Sequence, residues 1–176
     1  GVKQDKRGYI EVDDELRTSV PGIWALGDCN GRGAFTHTAW NDHEIVAANP
    51  DKFEIALKAE DAARIDKAGK KVVFLSMENS YELGDDLSLL DSFYKLGVRM
   101  AGPVHNGTNQ LADSTNPGEL GMKWGGLSPM GKEYVRRANE LGMILDGSHA
   151  SDATIDQLID LSATPAIGVD PAGRTA

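Results

Sequence analysis

The chain has 176 residues, is 40% hydrophobic and sets 27 acidic against 18 basic residues, for a formal net charge of -9. Its length allows one ordinary core, or one core plus a smaller piece. The acidic balance argues against nucleic-acid and anionic-membrane partners, which need clustered Lys and Arg, and the one basic cluster, Lys67, Lys70 and Lys71, reads as the solvated end of a helix. The single cysteine, Cys29, allows no internal disulfide and no CxxC metal knuckle. No apolar run approaches the roughly 20 residues of a membrane span. The N-terminus has neither an initiator Met nor the apolar stretch of a signal peptide. The chain is therefore expected to be processed, trimmed or excised from something longer.

Tyr9-Ile10-Glu11-Val12 alternates as a short strand, and Val20-Pro21-Gly22 is a turn signal. Ile23-Trp24-Ala25-Leu26 reads as a buried strand. Gly27-Asp28 ends it, and a loop with Asn30, Gly31 and Gly33 leads into a helix from about Thr36 to Ala48. Asn49-Pro50 breaks that helix, since Pro disfavours α geometry in the residue before it.

Beyond Pro50 the rhythm is helix–strand alternation. Phe53 to Ala68 reads as a helix, with Ile55, Ala59, Ala62 and Ile65 on one face and Gly69 as its stop. Val72-Val73-Phe74-Leu75 is a β-rich run, Asp86 to Leu96 a second helix, and Val98 to Ala101 the next strand. A long loop follows, from Gly102 to Leu127. Ser128-Pro129 is an N-cap followed by Pro at the first helical position. That helix stops at Gly142, and Met143-Ile144-Leu145 is a strand. Ser151 or Asp152 caps a last helix, and Pro165 to Val169 is a poorer strand. Alternation at this spacing argues for parallel βα units. About four strands follow Pro50, too few for a closed eight-stranded barrel.

In parallel βα folds catalytic groups sit just past the C-terminal ends of strands. Glu78 follows the Val72–Met77 run, His105 follows Val98–Val104, and His149 follows Met143–Asp146. One carboxylate and two imidazoles from three successive strands form the kind of O and N donor set that zinc requires. Taken singly, each is more often a solvated loop residue or a helix N-terminal charge. The coincidence of three is what makes the set a candidate.

The stretch KKVVFLSMENSYELGDDLSLLDSFYKLGVRMAGPVHNGTNQLADS, residues 70–114, resembles the renal (membrane) dipeptidase family. So does GLSPMGKEYVRRANELGMILDGSHASDATIDQLIDLSATP, residues 126–165. The resemblance covers roughly Pro50 to Val169. It implies part of a TIM barrel with two zinc ions at its mouth, and hydrolysis of a dipeptide substrate by metal-bound hydroxide. Glu78 matches the Glu that bridges the two ions, and His149 matches a zinc ligand. His105 matches the His that contacts substrate or the tetrahedral intermediate. The family's opening His-x-Asp ligand pair occurs nowhere in the chain. Asp170 stands where a further ligand His is placed, amid residues that do not fit the pattern. Zinc is the implied cofactor, and weak or no activity is expected from this chain alone, with a second copy or a missing half in trans to complete the site.

Residues 17–49 are similar to another family, the FAD-dependent pyridine nucleotide–disulfide oxidoreductases. Gly27 and Asp28 match the Gly-Asp that meets the ribitol, and Thr36 to Ala39 match the start of the helix at the flavin. The first FAD motif, GxGxxG after a strand, is missing, as is the CxxxxC redox pair. FAD is therefore not expected to be held. The resulting expectation is an α/β chain of parallel βα units over 50–176, preceded over 1–49 by a small flavoprotein-like strand–loop–helix segment, joined as in a chimera. A zinc dipeptidase is the first functional reading. A flavoprotein fragment and a non-catalytic α/β scaffold are the alternatives.

Overall fold

The computed structural model describes residues 1–25, 30–31, 43–164 and 166–167. The chain divides into two units, Gly1–Val73 and Phe74–Ala176.

Near the N-terminus of the first unit, side-chain turns take the place of strand ladders. The Asp5 carboxylate accepts from the Arg7 and Tyr9 N–H groups at 2.8 and 3.1 Å. Asp13 does the same for Glu15 and Arg17 at 2.9 and 3.0 Å. Such Asx loops satisfy donors that a ladder would otherwise use. The strand expected at Tyr9–Val12 is accordingly reduced to one bridge, between Gln4 and Ile10, and Trp24 meets Arg17 in another. Gly27, Asp28, Thr36 and Ala39 lie outside the described residues, as does Asp170. Residues 43–48 are helical, and Asn49 Nδ2 donates to the Ile45 carbonyl at 2.8 Å where that helix ends.

The segment read as one helix from Phe53 to Ala68 is a strand followed by a helix: β1, Phe53–Ile55, then α1, Ala59–Lys67. The helical spacing of Ile55 with Ala59, Ala62 and Ile65 masked the alternation of Phe53-Glu54-Ile55. That triplet pairs in parallel with β2, Lys71–Val73. Ion pairs from Glu54 to Arg64 at 2.8 Å and to Lys70 at 3.4 Å fasten β1 to the helix and to the turn after it. Asp61 accepts from the Leu57 and Lys58 N–H groups at the start of α1. Gly69, at φ +75°, closes it in the left-handed position that glycine takes most readily.

The apolar run Val72–Leu75 is likewise two strands. Phe74 is 56% exposed and interrupts the run, so β3, Leu75–Met77, opens the second unit. Three more strands join it in parallel: β4, Val98–Ala101; β5, Ile144–Asp146; and β6, Ala166–Ile167. Their order is β3-β4-β5-β6. The connecting helices are α2, Leu89–Lys95, then α3, Pro129–Leu141, and α4, Asp152–Leu161. The α2 helix starts three residues later than its apolar pattern suggests, because Asp86 accepts from the Ser88 N–H in a turn. Ser128 caps α3 by accepting from the Gly131 N–H at 2.9 Å, and Gly142 ends it at φ +71°. Ser151 caps α4. Leu90, Tyr134, Leu145 and Leu158, one from each helix and one from the sheet, meet in a single core with Met143 and Leu111. Each buried leucine contributes roughly 1.5–3 kcal/mol.

Because the four strands run the same way, their C-terminal ends share one edge of the sheet. Beyond those ends the pairing continues: the Gly102 N–H donates to the Met77 carbonyl at 3.0 Å, and the Ser80 N–H to the Gly102 carbonyl at 2.9 Å. The residues between, including Glu78, are thereby held against the exit of β4.

Candidate metal centre

Glu78 follows β3 directly, His105 lies four residues past β4, and His149 three past β5. Glu78 Oε1 and His149 Nε2 are hydrogen bonded at 2.9 Å. His105 Nε2 stands 3.9 Å from the same oxygen. The two imidazoles meet edge to face with ring centroids 4.3 Å apart. All three residues offer a ligand atom within 4.8 Å of the others. Tetrahedral donors about 2.1 Å from one zinc ion lie roughly 3.4 Å from each other, so the donor types and spacings fit such an ion. Glu78 is exposed, and His105 and His149 are half-buried.

The backbone takes the left-handed region at His149 and at the residue after Glu78. Asn79 has φ +61° and His149 φ +64°, and Asn and His are among the residues that enter this region most readily. The amide of Asn109 donates to Asn79 Oδ1 at 3.3 Å and to the Pro103 carbonyl at 2.7 Å. Its Oδ1 accepts from the Leu111 and Ala112 N–H groups. One side chain thus fixes the loop after β4 beside the turn after Glu78. At the exit of β5, Asp146 Oδ1 accepts from the Ser148 N–H at 2.9 Å.

Behind the site, Ser80 Oγ donates to the Gly102 carbonyl and meets the Tyr134 hydroxyl at 3.0 Å. Burial pushes the Tyr134 phenol far up from its ordinary value, and the Ser80 bond only partly offsets this. Tyr134 is therefore a neutral buttress between α3 and the Glu78 turn.

Two neighbours in the loop after β4 carry roles that their sequence did not disclose. Asp113 has no exposed surface. Its carboxylate accepts from the Lys123, Trp124, Gly125 and Gly126 N–H groups at 2.7 to 3.2 Å. Burial alone would raise its pKa, but the four backbone donors outweigh it and hold the carboxyl below the usual range. Ser114, also fully buried, donates to the carbonyls of His105 at 2.5 Å and His149 at 3.0 Å. The sequence signal for both was the Ala112-Asp113-Ser114 that closes the dipeptidase-like stretch 70–114, which assigned them no role.

The sequence profile of the membrane dipeptidases (peptidase family M19) matches residues 34–172. The chain belongs to the membrane dipeptidase family. Among its M19 relatives, dipeptidase tcpJ of Claviceps purpurea is 38% identical over 123 residues, 70% of this chain and 28% of that protein. An uncharacterized dipeptidase of Schizosaccharomyces pombe is 41% identical over 92 residues, 52% of this chain and 22% of that protein. The crystal structure of the probable dipeptidase PvdM from Pseudomonas aeruginosa superposes with a TM-score of 0.65 at 38% identity, over 75% of this chain and 35% of that one. A metallopeptidase from Rhodobacter sphaeroides shares the fold at a TM-score of 0.63 and 24% identity, over 75% of this chain and 39% of that one. The chain thus spans 22 to 35% of the length of these three dipeptidases. The expected α/β fold of parallel βα units is that of these dipeptidases. A second profile, that of the pyridine nucleotide-disulphide oxidoreductases, matches residues 1–42 and overlaps the first over 34–42.

Proposed function

We propose that the chain serves zinc-dependent hydrolysis of dipeptides, with Glu78 and His149 as metal ligands and His105 directed at the substrate. The observation that carries this reading is the gathering of Glu78, His105 and His149 within 4.8 Å past three adjacent parallel strands. Membership of a dipeptidase family supports it. When bound, zinc would supply Lewis-acid polarisation of the scissile carbonyl and a lowered pKa for a water. The chain's own residues do the rest. The Glu78 carboxylate supplies the negative charge that would offset a divalent cation, and its hydrogen bond to His149 holds the two donors side by side. His105, whose Nε2 stands 3.9 Å from the Glu78 carboxylate, would donate to an oxyanion as the peptide carbonyl is attacked.

Two donors, Glu78 and His149, without a His-x-Asp pair hold a cation less tightly than the family's full set, so turnover by these 176 residues alone is expected to be weak. The test is metal analysis of protein purified without chelator, paired with dipeptide hydrolysis. Zinc that co-purifies and is lost with Glu78→Gln supports the reading. Metal content unchanged by Glu78→Gln would overturn it.

A further inference from the structure

Two backbone carbonyls from the loops after β4 and β5, those of His105 and His149, converge on one hydroxyl. From this we infer that Ser114 is a positioning residue for the pair of histidines, an inference that rests on the metal-centre reading given above. A serine hydroxyl has one proton, so the bonds to His105 and His149 share it in a three-centre arrangement. The oxygen also accepts from the Asn116 N–H at 3.1 Å, which fixes where that proton points. Ser114 is itself anchored on both sides. It forms a bridge with Ala150, and the Asp113 carbonyl beside it accepts from the Ser151 N–H and Thr154 Oγ1. The hydroxyl is therefore a fixed point to which the backbones of both histidines are tied, and the ring separation follows from it.

The consequence is separable from ordinary stability. Each carbonyl keeps a second donor without Ser114: the Gly107 N–H for His105 at 3.1 Å and the Thr115 N–H for His149 at 2.8 Å. Removing the hydroxyl leaves neither carbonyl orphaned, so the fold loses little. What it loses is the yoke between the two rings. Partners behind metal ligands typically contribute 10–100-fold in affinity.

The experiment titrates the full chain and its Ser114→Ala, Ser128→Ala and Glu78→Gln variants with Co2+, read by visible absorption. Ser114→Ala is expected to weaken binding about 10-fold and to change the ligand-field band. Ser128→Ala, which removes the α3 cap and touches neither histidine, should leave both near wild type. Equal affinity and spectrum in Ser114→Ala and wild type would overturn the role, as would an equal loss in Ser128→Ala. The imidazole Hε1 NMR signals of the metal-free protein give an independent reading. Ser114→Ala must shift both His105 and His149, and Ser128→Ala neither; unmoved signals overturn the inference whether or not metal binds. A wild-type chain that binds no Co2+, or Glu78→Gln that binds it as well, sinks the metal reading instead, and the NMR signals then decide Ser114. Should Ser114→Ala not fold, Ser114→Cys, a longer and weaker donor, is read the same way with a smaller expected loss.

Discussion

A fully buried carboxylate such as Asp113 survives because four backbone N–H groups replace the water it gave up. Its depressed pKa makes it a pH-dependent source of stability. The sign follows from the direction: the contribution is complete above the unfolded Asp value of about 3.9 and is lost as pH falls through the lower folded value. Asp113→Asn puts an NH2 group against N–H donors and should cost about 1–3 kcal/mol, read as a lower urea midpoint at neutral pH. In acid the variant should lose less than wild type, and parallel pH profiles would refute the assignment. At this scale the sequence was partly legible. Glu78, His105 and His149 could be found because a residue just past a strand is placed by the strand itself. Asp113 and Ser114 could not, because their partners are backbone groups up to 35 residues away.

Helix ends were the most readable elements, since their signals are local. Ser128-Pro129, Ser151, Gly142 and Gly69 all stand where cap chemistry put them. Short strands were the least readable. Phe53–Ile55 was absorbed into a helical pattern, and Val72–Leu75 concealed a break at Phe74, because three residues carry too little periodicity to settle the matter. Gly131 is the clearest case of packing overriding propensity. A Cβ there would lie 2.0 Å from the Leu111 carbonyl oxygen, so α3 crosses the loop only with glycine at that point. Ala for Gly within a helix normally gains up to about 1 kcal/mol. Gly131→Ala should instead destabilise by about 1–3 kcal/mol, seen as a fall in Tm of several degrees. An unchanged or raised Tm would show that the loop moves aside at little cost.

At the scale of the whole chain, two family patterns meet between residues 34 and 42. The oxidoreductase portion lacks the GxGxxG turn that grips a pyrophosphate. The purified chain is therefore expected to be colourless, and a stoichiometric flavin band in its visible spectrum would contradict this. The hydrogen bond from His149 to Glu78 spans 71 residues and passes over the intervening strand β4. That separation has a kinetic meaning. Local helices can form early, but parallel strands this far apart close large loops before their contacts repay the entropy. The centre is therefore expected to assemble late in folding. A cation bound there stabilises the native state by about 2.7 kcal/mol at 100 times its dissociation constant. A site formed after the folding transition state predicts that stopped-flow chevrons with and without Zn2+ share a refolding limb. The whole gain should appear as slower unfolding, making the bound ion a latch on the finished sheet and not a seed for building it.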